Sequence, residues 1–134
     1  LGLPVSIQAP SQADLAPRLG LAIADDSAVY VSEMASGQVS QINVNSGTRR
    51  VIAQGLDRPQ GIATDGSAVL VVEAGKRRLL RVEPASGAGE VIARDLPVGL
   101  PNVPITLAGV AVGAGGTIYV TSDVENSIWR LRKK

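Results

Sequence analysis

Cysteine, histidine and phenylalanine are all missing from this chain, and aromatic residues make up only 2% of it. Without cysteine there are no disulfides and no thiolate nucleophiles. Without histidine as well, zinc sites of the Cys/His kind and every imidazole-based triad or acid–base pair are excluded. A cysteine-free chain is also indifferent to the redox state of its compartment. Long apolar runs are lacking: the purest, residues 68–72 (AVLVV), is far shorter than the ~20 residues of a membrane-spanning helix. Charge of one sign is lacking too. The formal net charge is +1, and acidic and basic residues are mixed along most of the sequence, so there is no electrostatic footprint for nucleic acid and no aromatic platform for stacking bases. The basic end, residues 130–134 (RLRKK), reads as a solvated chain terminus. No signal peptide is visible, and a start at Leu1 rather than Met fits a processed or excised piece.

Valine, isoleucine, leucine and alanine must therefore supply the core of a chain that is 45% hydrophobic. Branched side chains suit a pleated, half-buried surface, and 15 glycines with 8 prolines provide turns. The composition reads as all-β with short strands.

The strongest signal is an internal repeat. Residues 38–56 (QVSQINVNSGTRRVIAQGL) lie over 78–96 (RLLRVEPASGAGEVIARDL) without a gap. Upstream, residues 20–23 (GLAI), 61–64 (GIAT) and 109–112 (GVAV) correspond, followed by strand-like runs at 29–33 (VYVSE), 69–73 (VLVVE) and 118–122 (IYVTS). Each unit thus holds four short strands, A to D, over ~40 residues, with Asp/Gly/Ser turns between A and B and an Xaa-Ser-Gly turn between C and D. A β-sandwich also spaces its strands regularly, but it does not repeat a whole four-strand unit with the same hairpin dipeptide. The expectation is an all-β propeller with three four-stranded blades per chain. Its divisions are an orphan outer strand in residues 1–15, blades at 16–56 and 57–96, and a blade lacking strand D at 97–134.

Rings of this kind close with four to eight blades. Three would leave two raw sheet faces. The chain is therefore expected to be half of a longer propeller, or to self-associate and complete a six-bladed ring. In the paired ring, residues 3–9 (LPVSIQA) of one copy would supply the outer strand missing beside residues 128–132 of the other. An isolated soluble monomer is expected to be unstable.

Leu56-Asp57-Arg58-Pro59-Gln60-Gly61-Ile62-Ala63-Thr64-Asp65, followed by residues 69–73 and by Arg78-Leu79-Leu80-Arg81-Val82, resembles the repeat of NHL-type propellers. It is similar to the six-bladed propellers of the gluconolactonase (senescence-marker) and strictosidine-synthase-like groups. The resemblance runs over residues 16–134. It implies that the D–A and B–C connections share one face of the ring and that the A strands line its channel. It also implies, for the lactonases, a calcium ion held by Asn or Asp immediately before the A-strand glycine. Here those positions are Leu19, Gln60 and Ala108, so no cofactor is expected unless other blades bring further calcium ligands.

The candidate residues on the loop face are Glu33, Glu73, Asp123, Asp57, Arg58, Gln60, Arg77 and Asn102. Glu33 and Glu73 stand at matching ends of strand B, with Asp123 offset by one. Carboxylates at a channel mouth can bind cations or move protons, but a residue that recurs once per blade equally fits a strand end that meets a nearby basic group, for Glu73 one of Lys76, Arg77 or Arg78. Trp129, Tyr30 and Tyr119 read as packing between blades. The proline-rich stretch 96–106 (LPVGLPNVPIT) replaces a short D–A link and reads as a projecting gate or contact surface. The function expected is a non-enzymatic binding or scaffold module for a protein or small ligand, without nucleic acid or membrane partners. A lactonase- or strictosidine-synthase-like hydrolase and a truncated or engineered half-propeller are the alternatives. An extracytoplasmic location accords with the resemblance and the lack of cysteine.

Overall fold

The computed structural model describes residues 18–101 and 107–132. The expected outer strand at 3–9, Asn102 and the rest of the insertion to 106 lie outside the described residues. Among the described residues eleven strands run in chain order: β1 (Arg18–Asp25), β2 (Ala28–Glu33), β3 (Gln38–Asn43), β4 (Arg49–Ala53), β5 (Pro59–Asp65), β6 (Ala68–Glu73), β7 (Arg78–Val82), β8 (Gly89–Ala93), β9 (Val110–Val112), β10 (Ile118–Ser122) and β11 (Ser127–Leu131). They form two four-stranded antiparallel sheets, β1-β2-β3-β4 and β5-β6-β7-β8, and a three-stranded sheet, β9-β10-β11. The repeat units of the sequence are therefore blades, each a simple meander. The hairpins turn where Gly47, Gly66, Gly87 and Gly116 take positive φ, a conformation that a Cβ disfavours.

Two seams hold the blades together. Ala22, Tyr30, Val39 and Ile52 of the first blade pack on Ile62, Val69, Val71, Leu80 and Val82 of the second. The other face of the second blade, with Leu70, Val72 and Leu79, packs on Ile118 and Val120 of the third. Successive strand residues point to opposite faces, so β6 is buried at all six positions because it has a blade on each side. The outer blades each have a face without such a cover among the described residues: Leu21 and Ile23 are 67% and 70% exposed on β1, and Ile128 is 70% exposed on β11.

Three sequence expectations change here. Tyr30 is buried in the first seam, but Tyr119, its counterpart, is 39% exposed, because no described blade follows the third. Trp129 pairs with Val120 across the ladder and so faces the second blade, yet it stays 40% exposed and donates its indole N–H to Glu125 at 2.9 Å. The insertion does not begin as a projecting apolar loop. Leu96 and Val98 are buried in the second seam, packed with the apolar side chains of the second and third blades.

Candidate functional site

The turns between second and third strands and the links between blades meet at one end of the sheets. Leu56 donates its N–H to Gly37 O, Ala74 to Arg58 O, Gly75 to Asp57 O and Leu96 to Arg77 O, at 2.9–3.1 Å. This is the loop face that the resemblance implies, and each turn clamps the link of its own blade. The fourth residue of each turn is left-handed: Gly37 at φ 67°, Arg77 at 53° and Asn126 at 51°.

Glu73 ends β6 and is fully buried. Its Oε1 accepts the Asp57 N–H at 3.0 Å and lies 3.6 Å from Lys76 Nζ, while its Oε2 accepts Arg78 Nε at 2.5 Å. Burial alone pushes this carboxyl up; the Asp57 N–H, the hydrogen bond and charge of Arg78 and the charge of Lys76 outweigh it and hold the group below its ordinary value. Arg77, the third basic candidate, turns away and donates to Leu96 O at 3.0 Å. Glu33 occupies the matching place in β2, 2% exposed. There Arg49 Nη2 lies 2.7 Å from its Oε2, and Ser40 Oγ donates to the same oxygen at 3.1 Å. The cation comes from β4 in the first blade and from β7 in the second, where Gly89 takes the place of Arg49. A carboxylate at this depth needs such a partner, and either neighbouring strand can provide it.

The third blade has Ser122 at the matching register. Ser122 Oγ donates to Pro97 O at 2.5 Å, and the adjacent Asp123 accepts the N–H groups of Gly99 and Leu100 at 2.9 and 3.2 Å. Asp123 thus secures the start of the insertion as Glu73 secures Asp57. Asp57 itself stands over Gly75, where an added Cβ would lie 2.0 Å from its carboxyl carbon, and it pairs with Arg58 at 3.8 Å across exposed surface. Such an exposed pair adds little stability.

The inner strands meet around Gln60. Its side chain is 2% exposed, and its Oε1 accepts the Ala108 N–H at 2.8 Å, tying the second blade to the third. Its main-chain oxygen accepts Ser32 Oγ at 2.5 Å, and that hydroxyl in turn accepts the Gly20 N–H at 2.8 Å. Thr121 repeats the second half of this bridge by accepting the Gly109 N–H at 2.7 Å. Ser32→Ala, which orphans both partners, is expected to cost about 1–2 kcal/mol in urea denaturation, with Ser32→Thr close to wild type. The hydroxyls were not singled out from sequence, although Ser32 and Thr121 stand in register on otherwise apolar strands.

The residues preceding the inner glycines do not fit a calcium site within this chain. Leu19 and Ala108 have no side-chain oxygen, and the Gln60 carbonyl already accepts a backbone N–H. Among the described residues no group of three or more His, Cys, Asp or Glu is arranged to hold a metal ion. The inner cleft, ≈ 280 Å³, is lined by Gly20, Leu21, Gln60, Gly61, Ala108 and Val110. A larger groove, ≈ 540 Å³, opens by the hairpins at the opposite end, between Asp65, Arg81, Glu90, Ile92, Leu131 and Arg132.

No family model matches the chain, and no curated protein matches it. Solved structures do. A crystal structure of a nidogen/laminin complex is similar at a TM-score of 0.70 and 17% identity, covering 85% of this chain and 43% of that one. Selenomethionine-substituted virginiamycin B lyase from Staphylococcus aureus is similar at a TM-score of 0.68 and 18% identity, covering 95% of this chain and 41% of the lyase. A catalytically inactive form of that lyase with quinupristin gives 0.62 and 19%, covering 87% and 38%. The chain has a propeller-like fold and spans about two fifths of the length of the solved structures it matches.

Proposed function

We propose that this chain is a non-enzymatic binding or scaffold module of NHL-like propeller type, which presents its loop-built face to a protein or a small ligand. One observation carries the reading: the recurring acids of that face are spent on building it. Glu73 is fully buried beneath two cations and a backbone N–H, and Asp123 holds two backbone N–H groups of the next link. A carboxylate so engaged acts as a fastener. It makes the links rigid, and a rigid face keeps down the ordering cost of binding. Asp57 and Lys76 remain exposed around it, with Arg58 half-buried beside them, as contact groups.

The second reading is a hydrolase of the gluconolactonase or strictosidine-synthase kind whose acidic site is shared with blades outside this chain. The Pro59-Gln60-Gly61 step keeps the P-x-G frame of that resemblance but carries Gln where it implies Asn or Asp, so the calcium ligands would have to come from those other blades. The solved neighbours include both a nidogen/laminin complex and a lyase, so the fold alone favours neither reading.

Calorimetry with and without calcium, together with a lactone-hydrolysis assay, separates the two. The binding module melts at the same temperature in both buffers and does not hydrolyse the lactones. A calcium-dependent rise in melting temperature that disappears in Glu33→Gln or Glu73→Gln overturns the reading in favour of the hydrolase.

A further inference from the structure

We propose that the faces of the first and third blades that no described residue covers are the two sides of one seam, and that a second copy of this chain closes them into a two-chain ring. The repeat register carries this beyond the reading above. Aligned on Gly20, Gly61 and Gly109, the third blade offers Ala111, Tyr119 and Thr121 where the first blade uses Ala22, Tyr30 and Ser32 against the second. The first blade in turn offers Leu21 and Val29 where the second uses Ile62 and Val69. The uncovered faces are therefore a further copy of the two sides of a seam that the structure already contains.

Exposure at equivalent positions shows what is uncovered. Tyr30 is 7% exposed and Tyr119 39%; Ile62 is 6% exposed and Leu21 67%. Apolar side chains of this size gain most from being covered. The polar part of the seam is half built as well. Ser32 accepts the Gly20 N–H and donates to the Gln60 carbonyl across the seam. Thr121 accepts the Gly109 N–H in the same way, and its hydroxyl proton would go to the carbonyl of Leu19 in the second copy, the equivalent of Gln60. A twofold axis makes this contact twice, so the ring closes. A net charge of +1 opposes the pairing very little.

Light scattering and sedimentation of the 134-residue chain over a wide concentration range test the proposal. The expected result is a discrete species of twice 13.8 kDa. Tyr119→Asp should yield monomer. Thr121→Val should weaken the dimer about tenfold while Thr121→Ser keeps it. Val72 holds that register in the second blade, so the valine variant is compatible with folding. Val124→Asp, on an exposed turn away from both faces, serves as the unchanged control. A monomer at all concentrations, an open-ended ladder, or a dimer indifferent to both Tyr119→Asp and Thr121→Val overturns the proposal. A dimer that hydrolyses lactones with calcium keeps the seam and overturns the binding reading instead, so the two failures are distinguishable.

Discussion

Alanine at position 61 is expected to lower stability by about 3 kcal/mol, or roughly 10 °C in melting temperature for a chain of this size. A Cβ there would lie 2.4 Å from Ala108 O, 2.7 Å from Gly109 Cα and 2.8 Å from Val110 N. All three are backbone atoms, so no side chain can swing aside. Relief comes only by moving β5 away from the strand beside it, and that movement stretches the 2.8 Å hydrogen bond from Gly61 N to Ala108 O and the 2.8 Å bond from Ala108 N to Gln60. The core of the second seam opens with them. Gly89→Ala is the contrasting control, because nothing lies within 4 Å of a Cβ at that position. Thermal melts of both variants check the expectation, and equal effects would sink it.

Glu73→Gln is expected to cost about 2–4 kcal/mol. The glutamine retains one acceptor for Asp57 N–H or Arg78 but removes the charge between two cations. Arg78 is 23% and Lys76 50% exposed, so water meets part of their need and the loss falls short of that for a fully buried pair. The effect depends on pH. The Glu73 carboxyl is held below its ordinary value of 4.5, so the folded state favours its charged form. The stability from that preference is fully present above pH 4.5 and is lost as the pH falls through the folded value. The wild-type and Glu73→Gln stability curves should therefore converge in acid. A gap between them that stays constant from neutral pH to pH 3 would show that the charge contributes nothing and that packing alone is at stake. Replacing Arg78 by leucine in both backgrounds measures the coupling directly, and the two losses should be less than additive.

Much of the fold was legible from periodicity. Alternation of apolar residues, and hairpin residues that demand positive φ, are local properties, so the described strands fall within three residues of their expected places. The candidate acids were legible as positions but not as roles. Glu33 and Glu73 recur because the first two blades end their second strand the same way, whereas the partner of each carboxylate, Arg49 on β4 in one and Arg78 on β7 in the other, depends on which neighbouring strand carries the arginine. Arg77 and Arg78 are adjacent in sequence and look alike there. The left-handed turn at Arg77 sends its side chain to the Leu96 carbonyl and leaves Glu73 to its neighbour. The start of the insertion misled for a related reason. An apolar loop reads as a projecting surface until packing shows Leu96 and Val98 in a seam.

The sequence by itself determined the all-β class, the four-strand repeat and the turn positions, and it excluded thiol and imidazole chemistry. These follow from side-chain shape, backbone permissiveness and the absence of residue types. The tertiary structure alone decided that β6 is buried on both faces, that Gln60 and Ser32 stitch the inner strands together, and that Glu73 fastens the link at Asp57. Those are contacts between residues 12 to 48 positions apart, and their outcome rests on distances of a few tenths of an ångström that no local pattern encodes.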